Sequence, residues 1–166
     1  MSAADAGATL ARAAGFWAGQ GDRLGATWHE HDAAVRARYT ANCFRELDGF
    51  LRLLLDELAP EPAPKRRNTA NKLGLMALDG APTGGVAAAD CARLRAIGRS
   101  AACLFHLGGW VRRPDVATGD WMTAGWSDRD GGALRRYSLG DRLRPGAVDV
   151  ADVCDFYLRV GEAVRA

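Results

Sequence analysis

Two residue types near the middle of the chain are spaced so that they could act together on one ligand. The stretch RAIGRSAACLFHLGGWVRR, residues 95–113, carries four arginines and one of the three histidines of the 166-residue sequence. An α-helix turns by about 100° per residue, so Arg95 and Arg99 would each lie within about 20° of His106 on one helix face. The spacing therefore predicts a basic stripe that ends at a histidine.

Histidine and arginine are residue types that can cleave a phosphodiester without a metal. A histidine titrates near neutral pH, so it can remove a proton from a ribose 2′-hydroxyl or donate one to the leaving 5′-oxygen. An arginine stays charged and donates a planar pair of hydrogen bonds to phosphate oxygens, which stabilises the negative charge of the transition state. Arg99 and His106 are therefore the predicted catalytic pair.

The helix that must hold this pair is predicted to run from residue 86 or 87 to Leu107. Gly108 and Gly109 predict its end, because glycine readily adopts the left-handed conformation that terminates helices. His106 would then lie in the last turn. Apolar residues at spacings of three and four predict the buried face. These residues are Leu94, Ile97, Ala101 and Leu104, with Phe105 as a further candidate.

Two helices are predicted before this one. A short helix covers residues 6–18, and the glycines of GQGDRLG end it. A long amphipathic helix then spans residues 27–58, with Thr27 as its N-cap and Glu30 completing a capping box. Its predicted apolar stripe is Val35, Tyr39, Cys43, Leu47, Phe50, Leu54 and Leu58.

Three further elements complete the prediction. Asn68 or Thr69 can cap a short helix that ends at Leu78. The sequence SDRDGG, between WMTAGW and ALRRYSL, is typical of a hairpin turn. Asp149 is the predicted N-cap of a last helix over residues 150–164.

These elements predict an all-α fold. We expect a four-to-five-helix bundle with an irregular or short β-hairpin excursion before the last helix. The length of 166 residues fits a single helical domain over residues 1–166. Residues 1–25 would form a short N-terminal helix and loop.

The motif and the order of the helices resemble the HEPN superfamily. Its members carry an arginine, four to six residues and a histidine near the end of the third major helix, and here the motif reads Arg99-SAACLF-His106. The likeness covers residues 27–164 and rests on pattern and order. It implies a helical bundle, often a homodimer, and its members are metal-independent endoribonucleases, inactive partners or RNA binders.

The resemblance also implies roles for individual residues. Arg99 would hold the scissile phosphate and His106 would be the acid/base group. Active members commonly have a polar residue, often asparagine, directly after the arginine; this chain has Ser100, whose hydroxyl reaches less far. The predicted substrate-binding residues are Arg95, Ser100, Arg112 and Arg113.

A second interpretation is a non-catalytic helical interaction or regulatory protein, such as an inactive HEPN-like partner or an antitoxin-like module. Arg99 would then be a solvated surface residue, and His106 would bond a carbonyl of the last turn. The surroundings of His106 discriminate between the two interpretations. An open basic cleft favours RNA, and ring nitrogens bonded to the backbone favour the interaction protein.

Other basic and aromatic residues could extend the predicted surface around Arg99 and His106. Basic clusters occur at residues 65–67, 112–113 and 135–136, followed by Arg142 and Arg144. Convergence of these clusters around the histidine would favour nucleic acid, whereas scattered clusters would serve solubility. Trp110, Trp121 and Trp126 could stack bases or anchor the irregular segment to the core.

Composition argues against several other functions. The net charge of +2 is too small for a protein that coats DNA. Arginine greatly outnumbers lysine, which is typical of GC-rich bacterial coding. No run is long and apolar enough to predict a membrane span, and no signal peptide is recognised at the N-terminus. We therefore expect a cytoplasmic protein.

No metal or cofactor is predicted. The four cysteines form no C-x-x-C pair, so we expect them to be reduced and buried. His29 and Asp32 share a helix face but lack a third ligand nearby, and no phosphate-binding glycine loop is present. Cys103 lies three residues before His106, which allows a Cys–His dyad, although packing in the core is the favoured role of this cysteine.

Overall fold

Helices form most of the fold, and one β-hairpin precedes the last helix. The computed structural model describes residues 2–27, 33–60, 68–78, 88–128 and 132–166, with the backbone alone for 21–27. Within these ranges there are five helices and two strands. They are α1 (Ala3–Thr27), α2 (Ala33–Leu58), α3 (Thr69–Leu78), α4 (Ala88–Leu107), β1 (Trp121–Ser127), β2 (Leu134–Ser138) and α5 (Ala147–Ala163).

The core lies between α1, α2, α4 and α5: α2 packs against the other three helices, and α1 also packs against α5. Its fully buried side chains include Leu10, Phe44, Leu104 and Tyr157, one from each helix. Removing this apolar surface from water is the main stabilising contribution to such a bundle.

The hairpin closes one side of α4. Gly125 of β1 lies so close to α4 that a Cβ atom there would meet Ile97 at 2.3 Å, so only glycine permits this approach. Trp126 is completely buried, and its ring centroid lies 6.1 Å from that of Phe44. β1 and β2 are antiparallel, with Trp121 opposite Ser138. The predicted hairpin is therefore confirmed.

The predicted start of α3 and end of α4 are also confirmed. Asn68 caps α3, because its side-chain oxygen accepts a hydrogen bond from the Asn71 N–H at 2.8 Å. Gly108 and Gly109 follow the last residue of α4 with φ angles of 58° and 90°. These positive values are the left-handed conformation that glycine adopts without a steric penalty.

The predicted boundary between the first two helices is wrong. α1 continues through GQGDRLG to Thr27, so Thr27 is the last residue of α1 rather than an N-cap. Each glycine inside a helix costs roughly 1 kcal/mol. Packing of α1 on α2 and α5, with Leu10 and Ala14 buried, offsets this cost. Glu30 lies outside the described residues.

Two details of the other helices also differ from prediction. The ends of the predicted α2 stripe are exposed, at 53% for Val35 and 37% for Leu58, because the buried face is rotated toward Ala37, Ala41 and Phe44. α5 begins at Ala147, before the predicted start at residue 150.

Asp149 caps α5 from inside its first turn. Its carboxylate accepts a hydrogen bond from the Gly146 N–H at 2.8 Å. An acidic side chain reaching back from this position satisfies a backbone donor as an N-cap residue would. Asp149 is therefore a capping residue, but not the N-cap that the sequence predicted.

Candidate functional site

The exposed face of α4 carries three of the predicted site residues. Arg95 and His106 are exposed, and the Arg99 side chain is 40% exposed. The buried residues Leu94, Ile97 and Leu104 lie on the opposite side of the helix. The structure therefore aligns the arginines with the histidine, as their spacing predicts.

Both arginines on this face already have protein partners. Arg99 Nε lies 3.0 Å from Asp115 Oδ1, an ion pair without hydrogen-bond geometry. Asp115 is held in place by the Thr123 N–H, which donates to Oδ2 at 3.0 Å. Arg95 donates to Asn71 Oδ1 at 3.1 Å. A phosphate at this face would have to compete with these contacts.

Ser100 does not lie on the surface that carries Arg99 and His106. It is 0% exposed, and its hydroxyl oxygen accepts a hydrogen bond from the Gly125 N–H at 3.2 Å. One residue along a helix is a rotation of about 100°, which turns Ser100 toward the hairpin. The predicted contact between Ser100 and substrate therefore has no route in this structure, and the hydroxyl ties α4 to β1 instead.

His106 is the predicted site residue with the most open surroundings. It lies in the last turn of α4 with an exposed side chain. Its ring centroid lies 5.0 Å from that of Phe105, edge to face. Within the described ranges, no residue hydrogen-bonds its ring nitrogens. The imidazole is thus available to a ligand.

A groove between α2 and α4 opens beside His106. Its cavity volume is about 340 Å³. The floor is apolar and buried, with Phe44, Ile97 and Tyr157 among its residues. The remaining lining residues are Arg45, Asp48, Gly98, Ala101, Ala102, Phe105 and His106.

Three arginines surround the end of α4. The Cζ atoms of Arg38 and Arg45 lie 6.0 and 5.0 Å from the centroid of the Phe105 ring. Arg142 donates from Nε to the Gly108 carbonyl at 2.9 Å. Among the residues that the structure describes, no carboxylate pairs with any of the three. We call the surface formed by Arg38, Arg45, Phe105, His106 and Arg142 the end cluster.

Arg38 and Arg45 are not among the residues that the sequence predicted for the site. They are seven residues apart, the same spacing as Arg99 and His106, so the sequence places them on one face of α2. That spacing is the signal that could have found them. Their position beside Phe105 depends on how α2 packs against α4, which the sequence pattern does not specify.

Asp48 is a half-buried carboxylate in the groove. Its Oδ2 accepts a hydrogen bond from Thr69 Oγ1 at 2.8 Å, and its Oδ1 accepts one from the Tyr157 hydroxyl at 3.5 Å. Burial raises the pKa of Asp48, because desolvation disfavours the charged form more than the two hydrogen bonds favour it. Burial and the neighbouring Asp48 also raise the pKa of Tyr157.

The segment after α4 and the start of β1 carry two exposed tryptophans. Trp110 and Trp121 are 42% and 40% exposed. The Cζ of Arg142 lies 5.4 Å from the Trp110 ring centroid, and that of Arg136 lies 5.2 Å from the Trp121 ring centroid. Both tryptophans are open to stacking. Trp126, by contrast, is a core residue.

The predicted basic clusters converge only in part. Arg112 and Arg113 are exposed on the segment between α4 and β1, after Trp110. Arg135 instead pairs with Asp149, with 3.3 Å between Nη2 and Oδ1. The cluster at residues 65–67 lies outside the described residues.

The cysteines and metal-ligand types offer no second site in the described part of the chain. All four cysteines are free and buried. Cys103 donates from Sγ to the Trp110 carbonyl at 3.3 Å, and burial raises its pKa to about 11, so it is not a thiolate nucleophile at neutral pH. No group of three potential metal ligands occurs there, and His29 and Asp32 lie outside the described ranges. None of the described helices has the length and apolar character to cross a membrane.

Comparison with family models, with curated proteins and with solved structures found no match to this chain. The resemblance to the HEPN superfamily therefore stays a prediction that rests on the motif and the order of the helices.

Proposed function

We propose that the chain binds RNA at the end cluster and cleaves it without a metal, with His106 as the acid/base group. One observation carries the proposal. An exposed histidine without a hydrogen-bond partner among the described residues stands beside arginines without a carboxylate partner, at the end of one helix.

The end cluster supports binding of a phosphate backbone. Arg38, Arg45 and Arg142 each bring a permanent positive charge, and a nucleic acid that they neutralise releases its condensed counterions. Phe105 and Trp110 lie next to these charges. Aromatic rings beside arginines are suited to unpaired bases, which stack on both. A single strand is therefore the favoured substrate.

His106 supplies the proton transfer of the proposed cleavage. Removal of the 2′-hydroxyl proton lets that oxygen attack the adjacent phosphorus while the bond from phosphorus to the 5′-oxygen breaks. The products are a 2′,3′-cyclic phosphate and a 5′-hydroxyl strand, and the leaving oxygen takes up a proton. Arg45, which lines the same groove as His106, would stabilise the charge on the phosphate oxygens.

A second candidate is RNA binding without cleavage, as in an inactive member of the same class. The ion pair between Arg99 and Asp115 and the burial of Ser100 favour this candidate. Both withdraw motif residues from a substrate at His106. The two candidates share a binding surface and differ only in whether His106 transfers a proton.

The test is cleavage of a mixed single-stranded RNA pool in EDTA by purified protein. We expect cleavage that ends in cyclic phosphates and falls by about 100-fold or more in His106→Ala. Arg12→Gln is the matched control, since it removes an exposed arginine on α1 that donates to Thr9 of the same helix. Binding without cleavage would select the second candidate, and a folded protein that does not bind RNA would overturn both.

A further inference from the structure

We infer that the groove between α2 and α4 holds one unpaired nucleobase and selects guanine through Asp48. This inference rests on the proposed RNA binding and names the base that the same site reads. It assigns a role to a carboxylate that the cleavage chemistry does not use.

The groove has the size and shape for one base. Its volume of about 340 Å³ lies at the lower end of the range of about 300–1,000 Å³ typical of small-molecule sites. Gly98 and Ala102 form part of the α4 wall, and a Cβ atom built on Gly98 meets nothing within 4 Å. Small side chains at this wall leave room for a flat ring over the apolar floor.

Asp48 has unused capacity to accept hydrogen bonds. A carboxylate offers about four lone-pair sites, and within the described ranges each oxygen of Asp48 has one partner, the hydroxyl of Thr69 or of Tyr157. One site on each oxygen is therefore left for a ligand. Two adjacent N–H donors on the ligand would satisfy both oxygens at once, which is the strongest way to bind a carboxylate.

Guanine is the RNA base with two adjacent donors on one edge, at N1 and N2. Adenine and cytosine each offer one amino group beside an acceptor nitrogen, and uracil offers one N–H between two carbonyl oxygens. An acceptor placed against a half-buried carboxylate is repelled, and the remaining lone-pair sites of the carboxylate then stay unfilled. The chemistry of Asp48 thus favours guanine over the other three bases.

The rim of the groove connects the base site to the end cluster. Arg45 and His106 line the same cavity as Asp48. A nucleotide whose base enters the groove therefore has its phosphate near Arg45 and its ribose near His106. This arrangement predicts that cleavage occurs next to the selected guanine.

The experiment measures binding of a uridine 10-mer whose central nucleotide is guanosine, inosine, adenosine or cytidine. We expect guanosine to bind about tenfold or more tightly than adenosine, with inosine between them because it lacks the N2 donors. In Asp48→Asn the preference for guanosine over adenosine is lost. Glu57→Gln, an exposed residue of α2 with the same charge change, leaves it intact.

Gly98→Leu provides a test that does not alter the carboxylate. It adds a side chain to open space in the groove and replaces glycine with a better helix former. Loss of the preference in this folded variant supports the inference. Equal affinity of the wild type for all four strands, or a preference that survives in both variants, overturns the inference and leaves RNA binding standing. Absence of binding to every strand overturns both proposals.

Discussion

Arginines on two sides of α4 have different surroundings. On the hairpin side, Arg93 lies 2.7 Å from Asp152 and also donates to the Gly125 carbonyl at 3.1 Å. At the end of α4, Arg38 and Arg45 lie over the Phe105 ring, and no carboxylate among the described residues pairs with them. The first arrangement joins three elements of the fold. The second leaves charge available to a ligand.

The difference separates a structural role from a binding role. An arginine that pairs with a carboxylate in a half-buried setting is tied to the fold, and breaking the pair leaves a charge without a partner. Arginines that lie near one another without carboxylates repel each other, so binding an anion relieves an unfavourable interaction. The end cluster is of the second kind, which is why we place the RNA there.

The largest expected effect is on stability and comes from breaking the ion pair between Arg93 and Asp152. Arg93→Ala removes the partner of Asp152, which also accepts a hydrogen bond from the Ser127 N–H at 2.7 Å. We expect the free energy of unfolding to fall by about 2 kcal/mol. Urea denaturation measures this change. A decrease below about 0.5 kcal/mol would show that the pair contributes little to the fold.

The next largest effect is on RNA affinity and comes from removing two arginines of the end cluster. The double variant Arg38→Gln and Arg45→Gln should weaken RNA binding about tenfold and make the affinity less sensitive to salt. The slope of log affinity against log salt concentration should decrease by roughly 0.7 for each phosphate that is no longer neutralised. Stability should change little, because neither side chain pairs with a carboxylate in the described part of the chain. Fluorescence anisotropy at several salt concentrations measures affinity and slope, and unchanged affinity would remove the end cluster from the proposed interface.

Asp115→Asn would change Arg99 from an arginine paired with a carboxylate into one without that partner. The amide oxygen can still accept from Thr123, but the negative charge opposite Arg99 is gone. We expect RNA affinity to rise about threefold at low salt and the salt dependence to steepen. The same anisotropy titration checks this. A decrease in affinity would mean that the ion pair positions Arg99 for RNA.

The smallest effect is on stability at Asp48. Burial raises the pKa of this carboxyl, so its ionised form costs folding free energy, and its contribution to stability falls as pH rises through the folded-state pKa. Asp48→Asn should therefore raise Tm by about 2 °C at pH 7 and by less in acid. Thermal unfolding at both pH values tests this. A lower Tm at pH 7 would assign Asp48 a mainly structural role.

Local signals predicted much of the fold. The glycine pair after Leu107 and the turn residues between the two strands act within a few residues, so the sequence shows them directly. The length of α1 was not predicted, since its glycines are offset by packing against helices far along the chain. Such tertiary stabilisation has no local pattern.

The candidate site was only partly predictable for the same reason. The shared face of Arg99 and His106 follows from helix geometry. The partner of Arg99, by contrast, is Asp115, sixteen residues away and beyond the end of the helix. The approach of Arg45 to Phe105 likewise depends on the packing of two helices. Side chains that the sequence aligns were found, and those that only the fold brings together were not.

The hydrogen bond from Arg142 to the Gly108 carbonyl links the stability of the last turn of α4 to RNA binding. This guanidinium satisfies a helix-end carbonyl and also belongs to the surface where we place RNA. A phosphate that draws Arg142 away would leave the last turn of α4 less protected. RNA binding would then be measured as faster amide hydrogen exchange at the turn that carries His106, even while the rest of the complex becomes more rigid.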